Sequence, residues 1–237
     1  MQSLSALAAQ RALPFRSNPS VEAHANWLVE RITRALQAAI QERGRATLAL
    51  SGGRGPAPFL RALNRVELAW ERVCVTLADE RWVPPEHADS NAGLLWRCMP
   101  EVMPRVVWTP LYHGLSPEQD AARSSAALAE LMPLDVLVLG MGTNGHTASL
   151  FPGAPGLADL LSAQAPALCM ATESTEGAPR LTLTGAGLNS ARTQLLEIRG
   201  EDKAAVLAAA LSGQHPQWPV SAFLRNPLEI VYGPDGD

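Results

Sequence analysis

Asp135-Val136-Leu137-Val138-Leu139 is a continuous apolar run after its first residue, and it passes directly into Gly140-Met141-Gly142-Thr143-Asn144-Gly145-His146. A strand without polar alternation has both faces covered, which is the environment of a parallel sheet flanked by helices. Ala46–Leu50 repeats the pattern and runs into Ser51-Gly52-Gly53, while Val73–Leu77 leads to Asp79-Glu80-Arg81. Between such runs lie helical signals. Residues 20–43 carry Trp27, Leu28, Ile32, Leu36 and Ile40 at three-to-four spacing, with Ser20 placed to cap and Gly44 to stop. A short helix is predicted through Phe59, Leu60 and Leu63. Ser116-Pro117-Glu118-Gln119 is a capping box that opens a helix closing near Met132-Pro133, and Glu201–Leu211 forms another. Further strands are predicted at 167–170, 180–184, 194–198 and 228–232. Alternating strands and helices predict an α/β fold: a mainly parallel, Rossmann-like sheet with helices on both faces. Proline and glycine are spread as punctuation and no linker divides the chain, so residues 1–237 read as a single domain.

Composition narrows the function. Of 237 residues, 47% are hydrophobic and 18% charged, which suits a packed core rather than disorder. Lys+Arg minus Asp+Glu is 19 − 23 = −4, so there is no nucleic-acid footprint and no polybasic membrane patch. An anionic ligand must therefore be held by a local arrangement. The three cysteines, Cys74, Cys98 and Cys169, are far apart, with no Cys-x-x-Cys, and no His-x-x-x-His occurs; neither a disulfide framework nor a metal site is expected. MQSLSALAAQR has no basic region of the secretory type and no stretch reaches membrane-span length, so the expected location is the cytoplasm.

In doubly wound sheets, ligands sit beyond the carboxyl ends of the strands. The polar clusters at 51–53, 79–81 and 140–146 all occupy that position. A small-residue loop between strand and helix suits a phosphate, although it equally suits a tight turn. In Gly140–His146 the glycines allow close backbone approach, and a histidine at the loop's end, expected at the start of the next helix, suits a general base near neutral pH. The glycine interval there matches a dinucleotide fingerprint, but no acidic residue ends a strand about 20 residues on. His24, His87, His113 and His215 lack such a frame and read as surface or structural. Arg81 is placed to meet an oxyanion or phosphate, with Asp79 or Glu80 holding its neighbours, and Asp89-Ser90-Asn91 reads as a helix N-cap. Lys203 is the one lysine beside 18 arginines. It stands in the first turn of a helix, where its charge opposes the helix dipole and a phosphate would compensate it. Arg180 and Arg192 are further cations near strand ends.

Taken together, LALSGGRGP, TLADERWVPPEHADSN, DVLVLGMGTNGHTASLFPG, RLTLT, the lysine after EIRGED, and PVSAFL resemble the 6-phosphogluconolactonase family, in order, over about residues 46–224. The resemblance implies an α/β fold of the glucosamine-6-phosphate deaminase superfamily. It also implies hydrolysis of 6-phospho-D-glucono-1,5-lactone to 6-phosphogluconate in the oxidative pentose phosphate pathway, with no cofactor or metal and a small sugar-phosphate lactone as partner. His146 matches the family's general base and Arg81 the arginine of its DER motif, and Asn144 joins them as catalytic. Ser51, Gly52, Gly53, Asp79, Gly142, Arg180 and Lys203 are carried over as substrate-binding residues. Two positions depart from the family: Asn144 stands where it usually has aspartate, which asparagine replaces as a turn former, and Arg54-Gly55 stands where it tends to have Ser/Thr before Pro56. A monomer is expected. Two alternatives stand beside this reading: a glucosamine-6-phosphate deaminase-like enzyme or sugar-phosphate isomerase, against which Thr147–Phe151 lacks the expected carboxylate, and a non-catalytic sugar-phosphate binding protein.

Overall fold

Every residue of Val136–Leu139 is buried, as its lack of polar alternation requires. This strand is one of ten, with eight α-helices, among the residues that the structure, a computed structural model, describes: 2–53 and 55–235. The order is α1 (Leu4–Gln10), β1 (Phe15–Ser17), α2 (Val21–Arg43), β2 (Ala46–Leu50), α3 (Ala57–Leu63), β3 (Val73–Leu77), β4 (Asp79–Arg81), α4 (Asn91–Cys98), β5 (Val107–Trp108), α5 (Pro117–Ala129), β6 (Val136–Leu139), α6 (Leu157–Leu161), β7 (Cys169–Glu173), β8 (Pro179–Leu183), α7 (Gly185–Leu188), β9 (Thr193–Arg199), α8 (Glu201–Leu211) and β10 (Leu228–Gly233).

Seven strands form one sheet in the order β1-β10-β9-β6-β2-β3-β5, and every pairing in it is parallel. The path from β2 to β3 moves toward one edge and the path from β9 to β10 toward the other. Right-handed crossovers in opposite directions lie on opposite faces, so α2 and α3 cover one face while α8, packed on α1, covers the other. The strand order reverses between β2 and β6, which opens a crevice at their carboxyl ends. One hydrophobic core extends from the parallel sheet, through Leu48, Leu50, Val138 and Leu196, to Leu181, Leu183 and Cys169 of the second sheet.

Local signals account for the helices. Ser20 Oγ accepts from the Ala23 N–H at 3.1 Å, and Gly44 ends α2 with φ +76°. Ser116 Oγ accepts from the Gln119 N–H at 3.2 Å with Pro117 at the first helical position, but α5 closes at Ala129, short of Met132-Pro133. One strand lay outside the sequence reading and one expectation is corrected. Asp79-Glu80-Arg81 forms β4, which joins β8 and β7 in a separate antiparallel sheet of order β4-β8-β7. Three charged residues carry no strand periodicity, and their pairing partners lie a hundred residues on. The corrected expectation is the helix at His146: none starts there. Ala148 takes φ +47° and Gly153 φ +75° on either side of Pro152, and α6 begins only at Leu157. Among the described residues, no helix is long and apolar enough to cross a membrane.

Candidate active site

Four neighbouring strands deliver their ends to one place. β2 ends in Ser51, β6 in Gly140, β9 in Gly200 and α8, and β3 leads through Ala78 to β4. A cleft of about 210 Å³ opens there, lined by Ser51, Gly52, Gly53, Asp79, Arg81, Gly142, His146 and Lys203, together with Gly55, Pro56, Asn91, Gly140, Met141, Ala148 and Glu197. Nine of the ten residues assigned from sequence are thus accounted for by this cleft or the loop bearing His146: those eight line it, and Asn144 touches His146. The tenth, Arg180, does not line it. Arg180 stands directly opposite Arg81 in the β4–β8 pair. Arg54 lies outside the described residues. Arg192 precedes β9, at the opposite end of the sheet, 3.7 Å from Asp135.

The 140–146 loop is built to hold the imidazole. The Gly142 N–H donates to the His146 carbonyl at 2.9 Å, and the Gly145 N–H to the Gly142 carbonyl at 3.0 Å. A side chain at Gly142 would place its Cβ 2.1 Å from His146 Cε1, so the ring lies against bare backbone. Asn144 Oδ1 faces two atoms at once: the His146 backbone N–H at 3.3 Å and ring Nδ1 at 2.5 Å. A backbone N–H only donates, so the amide oxygen, not its NH₂, faces the ring, and Nδ1 must carry the proton. That leaves Nε2 with its lone pair. Asn144 therefore shapes the turn and selects the tautomer a base requires. Phe151 tilts against the ring with centroids 4.8 Å apart.

Burial lowers the His146 pKa below the ordinary imidazole range. Asp79 raises it, while Lys203, Arg180 and Arg81 reinforce the depression. The direction favours the unprotonated ring at neutral pH. Arg180 is itself lowered, first by burial and then by Arg81. Like charges directly opposite on paired strands are unfavourable, and an anion between or beside them relieves the repulsion.

Acidic residues organise the frame. Glu80 is buried and its carboxylate accepts from the N–H groups of Arg81 (2.8 Å), Asn91 (2.7 Å) and Ala92 (2.7 Å) and from Ser90 Oγ (3.1 Å). It thereby ties β4 to the start of α4, whose cap is Ser90 Oγ on the Gly93 N–H at 3.0 Å. Burial raises the Glu80 pKa, against the pull of these backbone donors. Asp79 Oδ2 accepts from Ser149 Oγ at 2.6 Å and fastens the segment after His146 to β4. Ser51 Oγ and Asn91 Oδ1 are buried in the cleft wall without a hydrogen-bond partner among the described residues. Among the described residues, no group of three or more His, Cys, Asp and Glu side chains is arranged to hold a metal ion.

Sequence reasoning passed over Asn91 and Glu197. Asn91 was absorbed into the capping motif beside Ser90. Glu197 was legible as the one carboxylate inside the otherwise apolar stretch of TQLLEIR. Of the remaining histidines, none lines the cleft; His24 is buried, 3.3 Å from Glu197, and His113 bonds Ser124 at 3.1 Å.

Residues 19–231 match the family model described as glucosamine-6-phosphate isomerases/6-phosphogluconolactonase. A 6-phosphogluconolactonase of Pseudomonas aeruginosa (strain PAO1) is 44% identical over 220 residues, covering 91% of this chain and 92% of that protein. One of Rhizobium meliloti (strain 1021) is 43% identical over 225 residues, covering 92% and 96%. The crystal structure of a 6-phosphogluconolactonase from Shewanella baltica OS155 superposes with a TM-score of 0.88 at 31% identity, covering 94% of this chain and 98% of that one.

Proposed function

The chain belongs to the glucosamine-6-phosphate isomerase/6-phosphogluconolactonase family, and from that premise we propose that it hydrolyses 6-phospho-D-glucono-1,5-lactone to 6-phospho-D-gluconate, in the oxidative pentose phosphate pathway. The observation that carries this reading is an imidazole whose Nδ1 lies 2.5 Å from Asn144 Oδ1, in the same cleft as a glycine loop and the one lysine.

His146 Nε2 takes a proton from water as the oxygen attacks lactone C1. Arg81 or the loop N–H groups stabilise the tetrahedral oxyanion, and its collapse expels the ring oxygen, which is reprotonated as the carboxylate forms. A positioned base contributes about 10²–10⁴-fold, and oxyanion donors a further 10²–10³-fold or so. A six-membered lactone, which also opens spontaneously in water, needs little more. The phosphate, held by Ser51-Gly52-Gly53 and Lys203 with Arg180 adding charge, orients C1 toward the base, so that binding energy at one end serves chemistry at the other. The residues present require no cofactor for these steps.

The single hydrophobic core that runs beneath both sheets supports one domain. The test is a coupled assay on freshly generated lactone, corrected for spontaneous opening, run beside ammonia release from glucosamine 6-phosphate. Lactone turnover without ammonia is the expected result. Ammonia release without lactone turnover overturns the reading.

A further inference from the structure

Glu197 and His24 form a buried pair that the mechanism above does not use. Glu197 sits on β9, 3% exposed, and lines the cleft; His24 sits on α2, also 3% exposed. His24 Nε2 lies 3.3 Å from Glu197 Oε1, and Asn18 Nδ2 lies 3.4 Å from His24 Nδ1. An amide NH₂ donates, so Nδ1 accepts and Nε2–H donates to the carboxylate. One carboxylate oxygen is thereby fixed. The other, Oε2, faces Gly55, where a Cβ would come within 2.9 Å of it. Gly55 lines the same cleft and has no side chain to cover that oxygen. Among the described residues, no hydrogen bond reaches Oε2, and Oε2 is not one of the unpartnered atoms sealed from solvent. Among the described residues it is an unpartnered acceptor in the cleft wall.

A carboxylate oxygen takes a hydrogen bond only from a donor, and it repels a phosphate. We propose that Glu197 Oε2 accepts a hydrogen bond from a ring hydroxyl of the substrate, with His24 as the positioning residue that holds the carboxylate. This rests on the lactonase reading and deepens it: Lys203 takes the phosphate end, and Glu197 reads the hydroxylated ring. A site built to bond a hydroxyl discriminates strongly against an analogue lacking it, because the buried polar group is then left unpaired.

The test is a panel of 6-phosphogluconolactones lacking the 2-, 3- or 4-hydroxyl, assayed with the unmutated protein and with Glu197→Gln. With the unmutated protein, one deoxy lactone should lose about tenfold to a hundredfold in kcat/KM, the worth of one hydrogen bond to a charged group. Glu197→Gln should lose a similar factor on the parent lactone and nothing further on that same deoxy lactone. His24→Gln should reproduce the pattern more weakly. A flat panel with the unmutated protein overturns the proposal even if Glu197→Gln does not fold, and so does an equal loss for Glu197→Gln on every lactone. Failure to turn over the parent lactone overturns the lactonase reading itself, and this proposal with it.

Discussion

Two hollows lie close together in this molecule, and the larger holds less chemistry. The hollow of about 630 Å³ is walled by Phe151–Gly156, Asp159, Leu160 and the stretch Met170–Thr175, with Asp159 and Glu173 as its charged groups. The cleft of about 210 Å³ brings together a histidine, an arginine, a lysine and two carboxylates. Phe151 borders the first and leans on the imidazole of the second. The difference follows from topology. The cleft sits where four adjacent parallel strands end and their loops must diverge, whereas the hollow runs beside β7, the edge of the small antiparallel sheet. Volume alone does not hold a phosphate; convergent donors do.

The largest expected effect is at His146. Replacing it with alanine should lower kcat on the lactone by about 10²–10⁴-fold, while 6-phosphogluconate still binds in a calorimetric titration; near-normal turnover removes the imidazole from the reaction. Next is Lys203→Ala, for which kcat/KM should fall by about tenfold to a hundredfold, the worth of a charged hydrogen bond. The penalty should vanish on unphosphorylated gluconolactone, and an unchanged kcat/KM disconnects the lysine from the phosphate. Asn144→Asp should act through pH. In the unmutated protein, burial and the nearby cations depress the imidazole, so the acid limb of kcat/KM should fall below the ordinary value of about 6.5. A carboxylate beside Nδ1 favours the imidazolium and should move that limb upward; a pH–rate profile that does not shift assigns the residue to turn shape alone. Smallest is Glu173→Gln in the larger hollow, where kcat/KM should stay within about twofold, as for an exposed substitution away from the chemistry. A tenfold loss there reverses the ranking of the two hollows.

What was readable in the chain tracks how local the determinants are. α2 was legible end to end because Ser20, the apolar spacing and Gly44 all act within one turn of the residues they govern. The loops at 51–53 and 140–146 were legible because glycine after a buried strand has few uses. The small sheet was not, since β4 is three residues long and defined by Thr182, Leu181 and Arg180 across from it. The same limit hid the opposition of Arg81 and Arg180, and the reach of Asn91 and Glu197 into the cleft. The expected helix at His146 failed because Ala148 holds a left-handed conformation that residue type does not announce.

Lys203 is the sole lysine of 237 residues and borders the cleft. Amine-directed acylation therefore has one side-chain target among these 237 residues. A bound sugar phosphate would shield that amine, so protection from labelling would report occupancy of the cleft, whereas acylation itself would remove the charge that the phosphate needs.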